Sequence, residues 1–402
     1  MFKKYRKLFI LTFILACFYS PARADENPMS LSREVSQIVL NTVPPKSWQR
    51  ISEEKRKEIE DIYGTTFAVL INSQVQTSLH SKRNEGNTRG AWYYNIALEQ
   101  RLWKDSRLHF EIEGGHNKGI DKLIPTFSIF DSDAGEISYL YVTKLFLKQK
   151  LFNDRLLLSA GRLDLSDWFD VNMVANSSDT QFLSSALVNN LTIPFPQKGL
   201  GAMFNFIPRD WFYLQAGASD AKASSTRVGL NNAFDGTFFI GELGFTPKIK
   251  ERQGNYRFIF HYNRQKLPLI ASNGDLRHDY GAALSFDQEI TKDLILFCRY
   301  GFADPKVRSV QNFWSLGAQL TEPIPGRKSD YMGVGMAQSI FGNDYCNTNS
   351  SASAETMYEL YYNIQAWTFV EIIPNLQIVT HPNGDKDQSC AIVGGARVVV
   401  IF

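Results

Sequence analysis

Charged and hydrogen-bonding side chains recur at every second position in several stretches of this chain. Segment 91–103 carries Tyr93, Asn95, Glu99 and Arg101 on one face. Segment 106–115 carries Arg107, His109, Glu111 and Glu113, and segment 255–263 carries Arg257, His261 and Asn263. Arg162 and Arg299 have the same parity in their own segments. Acids and bases interleaved this way make rows of donors and acceptors that can trade hydrogen bonds with a hydroxylated solute. They do not make a catalytic constellation. No G-x-S-x-G, H-E-x-x-H or phosphate-binding glycine loop is present. The six histidines lie at positions 80, 109, 116, 261, 278 and 381. His116 near Asp121 and His278 near Asp279 read as surface loop residues rather than rim catalysts, so no enzyme activity is expected. Cys298, Cys346 and Cys390 form neither a CxxC nor a Cys/His spacing, so no metal and no cofactor is expected.

The elements that present these rows are strands. Opposite the polar set of 91–103 stand Trp92, Tyr94, Ile96 and Leu98; opposite that of 106–115 stand Leu108, Phe110 and Ile112. Tyr256, Phe258, Phe260 and Tyr262 form the apolar set of 255–263. A period of two with one apolar and one polar face is a β-strand. The 13% aromatic content agrees, and no run approaches a membrane-spanning helix.

About sixteen such segments can be read, and their connections sort by length. Residues 103–106, Asn153-Asp154, 208–210 and 291–293 are tight turns. Between them lie long polar connections at 80–90, 117–135, 164–198, 219–237, 265–277 and 342–354. The link 322–330 is an exception, extended by Pro323 and Pro325. A soluble sandwich would not sort its loops. The expected fold is all-β: a transmembrane antiparallel β-barrel of about 16 strands, with short periplasmic turns and long extracellular loops. Its apolar face meets outer-membrane lipid and its charged face a wet lumen. Trp92, Trp103, Phe302, Tyr331, Tyr358 and Trp367, near segment ends, are expected in interfacial girdles. The last segment, 391–402, places Ile392, Gly394, Ala396, Val398, Val400 and Phe402 outward and Arg397 inward. A terminal aromatic suits recognition by the barrel-assembly machinery.

Residues 1–24 read as a signal peptide: Lys3, Lys4, Arg6 and Lys7, an apolar run from Leu8 to Tyr19, then Ala22-Arg23-Ala24. The rival reading makes Cys17 a lipidated residue after Ile14-Leu15-Ala16. Loss of 1–24 removes five basic residues and no acid, taking the formal charge from +2 to −3. That excludes a basic patch for nucleic acid. Residues 25–63 are expected as a periplasmic N-terminal segment, helical at Glu53–Asp61, serving as a plug edge or as a solvated leader. The barrel is expected over 64–402.

The centre of the chain resembles the carbohydrate-selective porin family, OprB. The resemblance rests on GRLDLSDWFD at 161–170, QFLSSALVNN at 181–190, IPFP at 193–196, GLG at 199–201 and the tryptophan-containing turn at 208–211. GELGFTPKI at 241–249, NYRF at 255–258, ELYYNIQAW at 359–367, PNLQIVTHP at 374–382 and GAR at 395–397 extend it. It covers 64–402 and leaves the charged segment 46–61 unmatched. The family implies a sixteen-stranded barrel passing sugars by diffusion.

A barrel of that size leaves a water-filled channel unless loops narrow it. Connection 164–198 is the candidate constriction. Glu99, Arg101, Arg107, Glu111, Glu113, Arg162, Arg257 and Arg299 are candidate pore-lining groups, and Trp168 is the candidate for stacking on a sugar face. Cys346 and Cys390 fall in neighbouring external loops and are a candidate disulfide; Cys298 faces lipid. The expected partners are small-molecule sugars, membrane lipid and the assembly machinery, with the chain a monomer or homotrimer. Two other readings stay open: a general or anion-favouring pore, and a barrel enzyme or adhesin.

Overall fold

The computed structural model describes residues 57–402, apart from 83, 118, 133–139, 226–233, 235, 273, 350, 351, 353, 389 and 402. The signal peptide, Cys17, most of 25–63 and the terminal Phe402 lie outside the described residues.

Alternation of side chains becomes alternation of exposure. In the first strand, Thr65–His80, Asn72, Gln74, Gln76 and Ser78 are buried, whereas Ile71, Val75 and Leu79 are among the most exposed apolar residues. This inverts a soluble protein, where exposed apolar surface is the rarity. It suits a wall with lipid outside and water or folded loops inside.

The strands are β1 (Thr65–His80), β2 (Thr88–Arg101), β3 (Ser106–Asn117), β4 (Tyr141–Leu151), β5 (Leu156–Leu163) and β6 (Gly199–Arg209). Then come β7 (Phe212–Asp220), β8 (Thr237–Phe245), β9 (Lys248–Ile249), β10 (Arg252–Pro268), β11 (Leu276–Glu289) and β12 (Leu294–Ala303). The last are β13 (Val310–Thr321), β14 (Tyr331–Phe341), β15 (Glu355–Trp367), β16 (Val370–Thr380) and β17 (Cys390–Ile401). The two-residue β9 only folds back on the start of β10. The other sixteen pair antiparallel with their chain neighbours, and β1 pairs with both β2 and β17. Register runs from Leu70↔Ile401 to His80↔Ile392 across that closure. A closed sheet has no free edge, and every ladder position in it can be satisfied. Among the described residues no helix is long and apolar enough to cross a membrane; the strands do the crossing.

Connections differ between the two ends. One end carries the turns 102–105, 152–155, 210–211, 246–251, 290–293, 322–330 and 368–369. The other carries 81–87, 118–140, 164–198, 221–236, 269–275, 304–309, 342–354 and 381–389. Residues with positive φ cluster in the turns, at Asp105, Phe152, Asn153, Asp154, Lys250, Glu251 and Glu322. The long turn after β13 is braced by Arg327 donating to Asp330 and by Gly326 N donating to Glu322 at 2.9 Å. Before β1, residues 57–63 are helical, and Arg101 on β2 donates to the Glu60 carbonyl at 3.3 Å.

Trp92, Trp103, Tyr358 and Trp367 project outward near strand ends. Tyr331 does not. It is buried in the lumen, where its hydroxyl donates to the Thr180 carbonyl at 3.1 Å.

Candidate functional site

Two loops fold into the barrel. Loop backbone inside a lumen needs hydrogen-bond partners just as it would in a protein core. The wall supplies them with ionic side chains. On β15, Glu359 accepts from the successive amides of Leu183 (2.7 Å) and Ser184 (2.9 Å). Four residues earlier on the same strand, Glu355 accepts from Phe127 N (3.1 Å), Ser128 N (2.7 Å) and Asn383 N (2.7 Å). Glu242 on β8 accepts from Asp170 N at 3.1 Å.

Arginines answer the carbonyls. Arg299 on β12 donates to the carbonyls of Asp170 (3.1 Å), Ala175 (2.6 Å), Leu187 (3.0 Å) and Val188 (3.3 Å), and to the Asp170 carboxylate at 3.0 Å. Arg397 on β17 donates to the Ser178 and Gln181 carbonyls. Wall glycines let the loop lie against bare backbone. A Cβ at Gly335 would stand 2.9 Å from Leu187 and 3.0 Å from Phe182; one at Gly301 would stand 2.1 Å from the Thr192 hydroxyl.

The loop 164–198 is therefore held against β8, β12, β15 and β17. Its short helix Ser185–Val188 is capped by the Ser184 hydroxyl. Phe182, Leu183, Ala186, Leu187 and Val188 are buried. The second inward loop, described at 119–132, joins it: Ser132 N donates to Leu183 O at 3.0 Å and Ala186 N to Ser128 O at 3.1 Å. Asp121 ties this loop to itself, accepting from Phe130 N (2.7 Å) and Asp131 N (3.0 Å). Burial pushes the Asp121 carboxyl up to about 6.

Across the lumen, β2–β4 carry a ladder of opposite charges. Lys148 donates to Glu99 at 2.6 Å, and His109 lies 3.2 Å from Glu99 and 3.5 Å from Glu111. Lys144 pairs with Glu111 (3.4 Å) and, on the loop, with Asp167 (2.7 Å). Lys198, where the loop returns to β6, pairs with Glu113, which also accepts from Asn95 at 3.2 Å. Tyr93 donates to Asp179 of the loop. Lumen positions along a strand are spaced by about 6.6 Å, so Arg107, His109, Glu111 and Glu113 form rungs from the turn end upward. Glu60 of the N-terminal helix pairs with Arg107 at the foot.

The nine candidate residues thus divide. Glu99, Arg107, Glu111 and Glu113 meet on the ladder. Arg299 is locked beneath the loop, and Arg257 pairs with buried Asp287 at 2.7 Å, whose carboxylate also accepts from Met173 N at 3.4 Å. Arg101 sits exposed at the turn rim beside the N-terminal helix. Arg162 departs from the expected parity. It pairs in register with outward-facing Leu145 and with Leu200, on the same parity as exposed Leu158 and Ala160. Its guanidinium serves the carbonyls of Thr143, Ser224 and Ser225.

Trp168 also differs from expectation. Only 8% exposed, its ring meets Phe146 edge-on at 5.5 Å, so it packs the loop to the wall and offers no open face to a sugar. Cys346 and Cys390 are free thiols and form no bridge. Cys346 lies on the short helix Asn343–Thr348 and packs against the apolar cluster beneath, while Cys390 opens β17 paired with Thr380. Cys298 is exposed on the outer face of β12.

Lys144, Lys148, Lys198, Glu355 and Glu359 complete the site from outside the polar rows read in the sequence, and His109 joins them from the row of segment 106–115. Lys144 and Lys148 share inward parity on β4, and Glu355 and Glu359 on β15, so period two carried their signal. Lys198 had none. Among the described residues no cluster of His, Cys, Asp and Glu could hold a metal.

A closed sixteen-strand barrel with an apolar exterior, a charged lumen and inward-folded loops defines a diffusion channel of the outer-membrane type. The chain belongs to the family described as carbohydrate-selective porin, OprB family, whose model matches residues 110–402. It is therefore a porin, a channel protein of the bacterial outer membrane. It is 25% identical to Porin B of Pseudomonas aeruginosa over 77% of this chain and 80% of that protein. It is 24% identical to Porin AaxA of Chlamydia felis over 83% of this chain and 70% of that one. In fold it is similar to the high-pH structure of Pseudomonas putida OprB, with a TM-score of 0.73 and 19% identity over 87% of this chain and 98% of that one.

Proposed function

We propose that carbohydrates cross this porin along the ladder on β2–β4, between that wall and the inward loop. The observation that carries this reading is the division of the lumen's charges. Side chains that grip the loop are sealed: Arg299 and Glu359 are 2% exposed. The upper ladder keeps contact with water, with side-chain exposures of 29% at Asp167, 18% at Lys198, 12% at Glu113 and 11% at Lys144, while the lower rungs Glu99, His109, Glu111 and Lys148 are buried beneath it.

The ladder's chemistry suits an uncharged polyol. Each acid lies beside a base, so the field seen by a passing solute is largely cancelled, and a free ion gains little. A sugar hydroxyl both donates and accepts, so it can replace water at Glu113, Lys198, Asn95 and Tyr93 in turn. Passage needs such contacts to be weak and repeated rather than tight.

The signal peptide at 1–24 delivers the chain. The N-terminal helix stands at the periplasmic mouth beside Arg101 and Arg107. The assembly state is that of one barrel or of a homotrimer.

The test is conductance of the purified full chain in planar bilayers. Added glucose or maltotriose is expected to reduce the current in wild type and to do so less in Glu113→Gln/Lys198→Met. Removing one acid and one base keeps the net charge, so ion selectivity stays the same. A current indifferent to sugars but biased by ion sign would replace this reading with a general ionic pore.

A further inference from the structure

We infer that the loop-end rim of β10–β11 carries an external binding site for the phosphate of an outer-leaflet lipid. Lys266 pairs in register with His278, and below them Tyr262 pairs with Tyr280. Asn263 and Asp279, at the opposite parity, are buried in the lumen. Lys266 and His278 therefore face outward, and the Tyr262 and His278 rings stand 5.6 Å apart on that face. A bulge between Asn263 and Lys266 inserts Arg264 and Gln265.

Together with Lys222 and Phe234 of the neighbouring loop, these residues line a cleft of about 650 Å³. No carboxylate lines it among the described residues. Arg264 and Lys266 are exposed, and neither pairs with a described carboxylate.

Position selects the ligand. Immediately toward the membrane, Phe260, Tyr262 and Tyr280 are 60%, 41% and 43% exposed, which marks the lipid boundary. Tyrosines belong at the headgroup level of such a boundary. Cations just beyond it sit where outer-leaflet phosphates sit. The Arg264 guanidinium offers a phosphate two parallel N–H donors, and Lys266 adds a point charge. Phe234 supplies an apolar contact for the rest of the headgroup. The partner is thus a phosphorylated glycolipid of the outer leaflet, held by its phosphomonoester.

The experiment uses full-length protein purified in detergent, with lipid removed, then mixed with micelles containing diphosphoryl lipid A. Native mass spectrometry reads the fraction of porin that retains lipid. Each surface cation near an anionic lipid contributes roughly fivefold, so Arg264→Gln/Lys266→Gln is expected to weaken retention roughly thirtyfold. The control Lys248→Gln/Lys250→Gln, at the turn end, is expected to retain lipid like wild type. Dephosphorylated lipid A is expected to bind no better to wild type than to the rim variant. Unchanged heat-modifiable gel migration and conductance establish that the variants are folded. Equal retention by wild type and the rim variant, or equal retention of dephosphorylated lipid, would overturn the proposal. Displacement of the lipid by inorganic phosphate at low millimolar concentration would overturn the assignment to lipid.

Discussion

Arg299→Met is the sharpest perturbation of the inward loop. Arg299 satisfies four loop carbonyls and neutralises Asp170, all in a site sealed from water. Methionine fills much of the same space but donates nothing. Breaking a buried ion pair by removing one partner costs about 3–5 kcal/mol, because the other charge is left uncompensated. At 1.4 kcal/mol per tenfold change, roughly 4 kcal/mol raises the population of released loop about a thousandfold. The barrel ladders touch none of these bonds, so the wall stays intact. The expected result in planar bilayers is larger, noisier conductance steps and a weaker block by sugar, with normal heat-modifiable migration. The second variant, Arg299→Met/Asp170→Asn, removes the stranded charge and is expected to recover part of the quiet, smaller conductance. If Arg299→Met conducts as wild type does, in step size and in noise, the clamp is not what holds the loop in place.

Gly335→Val tests the same loop through shape alone: its added atoms meet Leu187 and Phe182, overpacking that costs about 1–3 kcal/mol. Raised conductance without a change in ion selectivity is expected, measured in the same bilayers. Asp121 gives a pH dependence. Its carboxyl is raised to about 6 in the closed loop against an ordinary 3.8, so closure takes up a proton between those values. Closure is therefore favoured as pH falls through that window and least favoured above pH 6. Hydrogen exchange at the Phe130 and Asp131 amides, corrected for intrinsic rate, should be slower at pH 5 than at pH 7 in wild type, and should lose that difference in Asp121→Asn.

The wall was legible in the sequence because a strand in a lipid-facing barrel repeats one simple rule along its length. Trp92, Tyr94 and Leu98 against Tyr93, Asn95 and Glu99 already state it, and turn and loop lengths then separate the two ends. Parity also located Arg299 and Arg257, but not their task. Whether an inward arginine meets water or a loop depends on what folds over it, and that is a long-range fact. Trp168 illustrates the point. Its type suits stacking on a sugar, yet Phe146, far away in the chain, claims its ring. Arg162 shares the parity of exposed Leu158 and Ala160, so the rule counted from Ser159 puts it on the outer face, and its guanidinium is held there by carbonyls of another loop. The loop after β3 was read as merely external because its anchors, Glu355 and Gln377, lie more than two hundred residues downstream.

The clamps on the inward loop have a consequence for how this channel can diverge. Glu359, Glu355, Arg299 and Arg397 hold peptide N–H and C=O groups, which are the same whatever side chains the loop carries. Apart from the Asp170 carboxylate that Arg299 neutralises, the grip is blind to loop sequence. Loop residues that keep contact with water, such as Asp167, can therefore be exchanged while these backbone clamps stay in place. Selectivity and architecture are written in separate sets of residues. A lineage can retune what passes through the pore one substitution at a time while the frame that narrows it stays where it is.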